Sequence, residues 1–78
     1  MKYRSREEIL STILKVVSEG GATQSDIMYK ASMNFRLLKK YVSFLLINGL
    51  LIREGANYKI TDNGIFFLKI YNQLNEMI

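Results

Sequence analysis

The chain has 78 residues, with 11 lysines and arginines against seven aspartates and glutamates, for a formal net charge of +4. It contains no cysteine and no histidine, so it offers no disulfide framework and no thiolate metal site, and it lacks the residue that most often serves as a catalytic base and metal ligand. This length predicts a single domain over residues 1–78, and the composition argues against an enzyme and against a bound cofactor or metal. The excess of positive charge suits a polyanionic partner.

No segment has the pattern of a membrane span or a secretion signal. The longest near-apolar run, from Val42 to Ile52, is interrupted by polar residues and falls short of the roughly 20 residues that a span requires. The N-terminus is basic but leads directly into an amphipathic segment with Glu7 and Glu8 and has no apolar signal core. We therefore expect a soluble cytoplasmic protein without membrane partners.

The first two helices are predicted from capping signals. Ser5 followed by Glu8 is a capping-box signature, and the predicted helix runs from Ser5 to Glu19, where two glycines end it. Thr23 with Asp26 three residues later starts a short second helix. The apolar residues that fall on the inner stripes of these two helices are Ile9, Leu10, Ile13, Leu14 and Val17 in the first, and Ile27, Met28 and Ala31 in the second.

A third helix follows a turn at Ser32-Met33-Asn34. Asn34 is a suitable N-cap, and the helix reaches about Asn48 before Gly49 ends it. Its apolar stripe consists of Leu38, Tyr41, Val42, Leu45 and Leu46, and its opposite side carries Arg36, Lys39, Lys40 and Ser43. Phe44 and Ile47 lie off this stripe, and the sequence leaves open whether they pack against the last helix or against the hairpin that follows.

The start of the third helix has an unusual charge. The helix dipole favours anions at an N-terminus, and acidic residues open the other predicted helices, whereas this one opens with three cations and no acid. The cost at an exposed helix start is a few tenths of a kcal/mol to about 1 kcal/mol, which an external anion would remove. Together with the net charge, this pattern points to nucleic acid.

After Gly49 the apolar period changes from helical to alternating, which predicts a β-hairpin. The residues that we assign to its buried face are Leu50, Ile52, Tyr58 and Ile60, and those assigned outward are Leu51, Arg53 and Lys59. In that register Ile52 pairs with Ile60, and Arg53 opposes Lys59 across a loop of residues 55–57. Opposed like charges disfavour a strand pair, so either a phosphate lies between the two cations or both side chains splay into water.

The segment Thr61-Asp62-Asn63-Gly64 predicts the cap of a last helix over residues 62–78. This helix has more apolar residues than one face can hold, so we assign Phe67, Leu68, Tyr71, Leu74 and Ile78 to the core stripe and Phe66, Ile70 and Met77 to a second seam. Exposed apolar surface usually marks an interaction site, which favours a homodimer through this helix. The alternative is a helix embedded more deeply, under Tyr3 and Ile9. The dimer residues predicted are Phe66, Phe67, Ile70, Tyr71, Leu74, Met77 and Ile78.

The order helix, helix, helix, hairpin, helix is that of a winged helix-turn-helix, a mainly helical α+β fold. The runs Leu38-Lys39-Lys40-Tyr41, Leu45 to Leu51 and Tyr58 to Gly64 resemble those of archaeal winged-helix DNA-binding domains, in particular the small Sulfolobus ten-kilodalton DNA-binding proteins. The resemblance covers nearly the whole chain. It implies double-stranded DNA binding, either chromatin-type or as a transcriptional regulator, and dimerisation through a coiled coil of the final helix.

If the protein binds DNA, the residue types predict individual roles. Arg36 is the candidate for a base contact because its fork can bond guanine bidentately, while Lys39 and Lys40 act as point charges against phosphates. Ser32 and Asn34 lie at the turn where a phosphate can be held, although Asn34 equally serves as a cap. The remaining candidates are Ser43 on the third helix, Arg53, Asn57 and Lys59 in the hairpin, and Lys2, Arg4 and Arg6 in an N-terminal segment that is either a DNA-binding arm or a disordered, solvated end.

A second function class is compatible with the same pattern. The apolar surface of the last helix would dock a larger protein partner, and the basic face of the third helix would be only a solvated surface. The protein would then be a winged-helix interaction module that binds DNA weakly.

Overall fold

The computed structural model describes residues 5–77, with side chains described for residues 5–74. The elements in this part of the chain are α1 (Arg6–Val17), β1 (Ala22–Thr23), α2 (Gln24–Lys30), α3 (Phe35–Ile47), β2 (Leu51–Glu54), β3 (Asn57–Ile60) and α4 (Asp62–Met77). The predicted mainly helical winged helix-turn-helix architecture is confirmed. We refer to β2, β3 and the loop between them as the wing.

The helix starts lie where the capping residues predict them. The Ser5 hydroxyl accepts a 3.0 Å hydrogen bond from the Glu8 N–H, and Asn34 Oδ1 accepts one of 2.8 Å from the N–H of Leu37. At α2 the capping box is complete, because the Asp26 N–H donates to the Thr23 hydroxyl and the Thr23 N–H donates to the Asp26 carboxylate. The first helix ends at Val17 with Ser18 as its C-cap, slightly before the predicted Glu19.

The core lies between α1, α2, α3 and the inner face of the sheet. All five residues of the predicted α1 stripe are buried, as are Ile27 and Ala31. On α3 the predicted stripe is confirmed, with Leu38, Val42 and Leu45 buried and Tyr41 and Leu46 packed against them.

The sheet has three strands in the order β1-β3-β2, with antiparallel pairs throughout. The strand β1 was not predicted. It has two residues, which pair Ala22 with Tyr58 and Thr23 with Asn57, and two residues are too few to show an alternating pattern. This strand joins the end of β3 next to the wing's turn to the segment that connects α1 and α2.

The predicted hairpin register is wrong by one residue. Leu51 pairs with Ile60, Ile52 with Lys59 and Arg53 with Tyr58, and the loop is Gly55-Ala56 instead of residues 55–57. Leu51 is 1% exposed and Ile52 46% exposed, the reverse of the prediction, whereas Tyr58 is buried as expected. The φ of Gly55 is 61°, which suits the first central position of a tight type II′ turn.

Hydrogen bonds join the end of α3 to the start of α4. The Thr61 hydroxyl donates to the Gly49 carbonyl at 2.6 Å and accepts from the Gly64 N–H at 3.1 Å, which confirms the predicted cap. A Cβ on Gly64 would come within 2.7 Å of Ile60 Cγ1 and still closer to the Leu50 carbonyl oxygen. The backbone of α4 therefore approaches Leu50 at a distance that only glycine allows.

The inner side of α4 packs against the core through Phe67 and Leu68. Tyr71 is also half-buried, but Leu74, which we assigned to the core stripe, is 55% exposed. That assignment is wrong because Leu74 lies with Phe66 and Ile70 at a shallow cavity that also borders α1 and the end of α3, and the open cavity leaves its side chain without close packing. The side chains of Met77 and Ile78 and the residue Tyr3, which entered the sequence-based predictions, lie outside the described residues.

Candidate nucleic-acid interface

The outward side of α3 is mainly polar and cationic, with the half-exposed Phe35 ring among its cations. Arg36, Lys40 and Ser43 follow one another at helical spacing and are all exposed, with Lys39 exposed beside them. We call these four residues the α3 face. Within the described side chains, 5–74, the cations of this face form no ion pair with a carboxylate. Their charge is therefore not neutralised by the described part of the protein.

The turn before α3 holds two more of the predicted residues. Ser32 is exposed and has a φ of 53°, a left-handed conformation that is uncommon outside glycine. Asn34 is exposed and acts as the N-cap of α3. Because the cap uses Oδ1, the Nδ2 of Asn34 remains a possible donor to a ligand.

Arg53 lies on the side of the wing that faces α3. Its Nε donates a 3.0 Å hydrogen bond to the Gly55 carbonyl, and its guanidinium carbon lies 5.9 Å from the centroid of the Tyr58 ring. Arg53, Lys39 and Ser43 all line a cleft of about 300 Å³ between α3 and the wing. The structure thus brings one wing cation together with the α3 face.

Asn57 and Lys59 do not join this group. In an antiparallel pair, directly opposed residues share a face, so Arg53 and Tyr58 lie on one side of the wing and Lys59 lies with Ile52 on the other. The aliphatic part of Lys59 lies next to Gly21, where an added Cβ would approach it to 3.2 Å. The predicted opposition of Arg53 and Lys59, with a phosphate between them, is therefore wrong.

The sequence predicts that Arg6 belongs to an N-terminal segment that is either a DNA-binding arm or a disordered end. The structure instead places this cation beside α3. It is the first residue of α1, and its guanidinium carbon lies 4.4 Å from the centroid of the Phe44 ring. This contact also settles what Phe44 packs against, which the sequence left open. Ile47, the other residue left open, is 83% exposed and packs against neither the wing nor α4.

Part of the exposed surface of α4 is apolar. Phe66 is 64% exposed, Ile70 40% and Leu74 55%, and all three line a shallow cavity of about 400 Å³ whose other walls include Glu7 of α1 and Asn48 at the end of α3. We call Phe66, Ile70 and Leu74 the α4 seam. The predicted seam contained the first two of these residues and Met77.

The described residues contain neither a metal-binding cluster nor a membrane-spanning helix. No group of three or more histidine, cysteine, aspartate or glutamate residues in that part of the chain is arranged to hold a metal ion. None of its helices is long and apolar enough to cross a bilayer.

Comparisons with known proteins agree with this architecture. A family model described as winged helix-turn-helix matches residues 3–78. The uncharacterized protein MJ0287 of Methanocaldococcus jannaschii is 32% identical over 74 residues, which cover 95% of this chain and 73% of that protein.

Two solved structures share the fold. The crystal structure of Sso10a-2, a DNA-binding protein from Sulfolobus solfataricus, is similar with a TM-score of 0.83 and 24% identity over 95% of this chain and 81% of that one. The structure of IdeR from T. acidophilum matches with a TM-score of 0.63 and 21% identity, over 82% of this chain but 31% of that longer chain.

Proposed function

We propose that this chain, which belongs to the winged helix-turn-helix family, binds double-stranded DNA through the α3 face and the wing. In this family of folds the second helix of the helix-turn-helix enters the major groove, and α3 holds that position here. An α-helix with its side chains is about as wide as the groove. The DNA-binding protein Sso10a-2 has the same fold, which supports the proposal by similarity.

The observation that carries the proposal is the uncompensated charge of the α3 face. Its three cations are exposed, and the first turn of α3 contains no acidic residue, although an acid there would be favoured by the helix dipole. A phosphate backbone supplies the missing negative charge. The protein thus accepts a small cost in the free form that is removed on binding.

Within the bound complex the residues take different roles. Arg36 reaches a base edge, since its planar fork matches the two acceptors of guanine. Lys39 and Arg53, on opposite walls of the cleft between α3 and the wing, contact the phosphate strand that runs between the major groove and the adjacent minor groove. Lys40, Ser43, Ser32 and Asn34 hold phosphates on either side of the base contact, and Asn57 and Lys59 contact the backbone from the outer face of the wing.

Most of these contacts are to phosphates, which position the protein without reading sequence. The proposed role is therefore that of a nucleoid-associated cytoplasmic protein, a regulator of transcription or a chromatin-type binder, in which Arg36 supplies what sequence preference there is. Competition between random duplexes and the DNA upstream of its own gene, at two salt concentrations, separates the two roles.

We further propose a homodimer formed through the α4 seam. Phe66 and Leu74 are each more than half exposed, and contiguous exposed apolar side chains on a small protein favour association. A dimer would present two α3 faces to one duplex. The apolar seam also favours a second function, docking of a different protein, in which case the isolated chain remains monomeric.

The test is a fluorescence-anisotropy titration of a duplex with the triple variant Arg36→Gln, Lys39→Gln and Lys40→Gln. We expect the affinity for the duplex to fall by about 100-fold or more, since a bidentate base contact alone is worth roughly 1–3 kcal/mol. The slope of log affinity against log salt should also fall, by about 0.9 for each phosphate contact that is lost.

The matched control removes three charges elsewhere, through Lys15→Gln, Lys30→Gln and Lys69→Gln. These lysines are exposed and lie on α1, α2 and α4. The control should bind nearly as well as the parent protein. Equal losses in the two triple variants would show that only net charge matters, and unchanged binding in the α3 variant would refute the proposal.

A further inference from the structure

We infer that Arg6 forms a further phosphate contact on the side of α3 opposite the wing, and that the Phe44 ring holds its side chain in place. This inference rests on the proposed DNA binding. It adds to the interface a residue from α1, and it means that cations flank the α3 face on both sides instead of only on the wing side.

Lys39 and Lys40 lie on opposite flanks of α3, beside different cavities. At 100° per residue, Lys39 lies toward the wing, and it shares the cleft there with Arg53. Lys40 and Phe44 lie on the other flank, where they line a separate cavity of about 300 Å³ together with Arg6 and Tyr41. A duplex seated on the α3 face has one phosphate strand on each flank, and Arg6 lies on the flank that the wing cannot reach.

The packing of Arg6 leaves its charge available. The guanidinium lies over the Phe44 ring at 4.4 Å, a cation–π contact that uses the face of the group and leaves its in-plane N–H donors free. Arg6 is exposed and makes no ion pair with any side chain in the described range 5–74. The ring thus fixes an otherwise flexible side chain before DNA arrives, which reduces the entropy lost on binding.

The acidic neighbours of Arg6 lie on other sides of α1. Consecutive residues of a helix point in different directions. Glu7 lines the cavity beside the α4 seam, and Glu8 lines a groove between α1 and α4. Neither carboxylate shares the cavity that Arg6 forms with Lys40, so a phosphate at Arg6 does not meet them directly.

The experiment compares Arg6→Gln with Lys15→Gln, which removes the same charge from the other end of the same helix. Counterion release makes one phosphate contact worth about eightfold in affinity at about 0.1 M salt, with a slope of about 0.9 in log affinity against log salt. We expect Arg6→Gln to bind the duplex about eightfold more weakly at about 0.1 M salt and to show a salt slope of log affinity lower by about 0.9. Near 1 M salt its affinity should approach that of the parent protein. Lys15→Gln should lose less than about twofold because screening weakens distant charges.

A third variant, Phe44→Leu, keeps the charge of Arg6 and removes the ring that holds it. Thermal melting establishes that the variant is folded, and we expect duplex affinity to fall although no charge has changed. An unchanged affinity in folded Phe44→Leu would overturn the positioning role of the ring. If Arg6→Gln behaves like Lys15→Gln while Lys39→Gln weakens binding, the Arg6 contact is wrong and the proposed function stands. If Lys39→Gln has no effect either, the proposed function fails as well.

Discussion

The outward sides of α3 and α4 differ in chemistry although both helices pack against the same core. The α3 face carries three exposed cations, whereas the α4 seam consists of exposed aromatic and aliphatic side chains. A cationic surface such as the α3 face attracts a polyanion, and this attraction weakens strongly as salt is added. An apolar surface such as the α4 seam associates because burial removes it from water, which requires no charge. This contrast is the basis for proposing two separate interactions, DNA on α3 and protein on α4.

The largest expected effect comes from a substitution that destabilises the whole domain, and with it both the α3 face and the α4 seam. Gly64→Ala places a Cβ against Ile60 and the Leu50 carbonyl, at the junction that joins the end of α3 to the start of α4. Because backbone must move to relieve the clash, we expect a loss of about 3 kcal/mol or more in the free energy of unfolding. Urea denaturation followed by circular dichroism measures it.

The control for this substitution is Asn63→Ala at the exposed residue that immediately precedes the buried Gly64. It should change the free energy of unfolding by no more than about 0.5 kcal/mol. Similar stability of both variants would show that the junction is not as tight as the structure indicates.

Substitutions in the α4 seam should weaken the proposed dimer and so distinguish it from DNA binding by α3. Phe66→Ser with Leu74→Ser removes two side chains whose burial is worth about 1.5–3 kcal/mol each, so the dimer dissociation constant should rise by more than about 100-fold. Sedimentation equilibrium over a concentration series measures this, and Asn72→Ser on the same helix is the control. A parent protein that is monomeric throughout would favour the docking of a different partner on this seam.

The charge at the start of α3 gives a prediction in which stability and binding change in opposite directions. Arg36→Glu places an acid in the first turn of the helix, where the dipole favours it, so the free energy of unfolding should rise by a few tenths of a kcal/mol to about 1 kcal/mol. Duplex binding should be lost because the variant replaces the base contact with a repelled carboxylate. A variant that is more stable and still binds DNA would contradict the functional interpretation of the anomaly.

The smallest effect concerns α2, whose acidic start contrasts with that of α3. Hydrogen bonds from the Thr23 backbone and hydroxyl lower the pKa of Asp26 below its usual 3.8. A lowered pKa in the folded state contributes stability above pH 3.8 that is lost as the pH falls through the folded value. Asp26→Asn should therefore melt at a lower temperature than the parent protein at pH 7, and the difference should shrink in acid. Thermal melting of both proteins at a series of pH values below 3.8 follows this difference, and a difference in melting temperature that does not shrink as the pH falls would contradict the linkage.

The sequence predicts the helices well because their signals are local. Ser5, Thr23 and Asn34 each bond the backbone three residues ahead, and the apolar periods of α1 and α3 identify their buried sides. The wing is different. Leu50, Leu51 and Ile52 are all apolar, so either parity could face inward, and the choice depends on the two-residue turn and on the junction at Thr61.

The candidate site could be predicted in part for the same reason. The α3 face follows from helical spacing alone, whereas the grouping of Arg53 with Lys39 depends on the wing register, and the placement of Arg6 on Phe44 depends on how α1 packs against α3. Cations do not reveal a tertiary neighbour through their own sequence pattern. The error at Leu74 is of the same kind, since the apolar period does not show that this part of α4 borders a shallow cavity instead of the core.

The most direct test of the account is a nitrogen-15 NMR titration of the protein with a short duplex. If DNA binds the α3 face and the wing, the shifts of backbone amides should concentrate in residues 32–43 and 53–58 and in Arg6, while the amides of residues 65–74 on α4 should shift little. Shifts concentrated on the outer side of α4, or an absence of specific shifts at low salt, would contradict the assignment of DNA to α3.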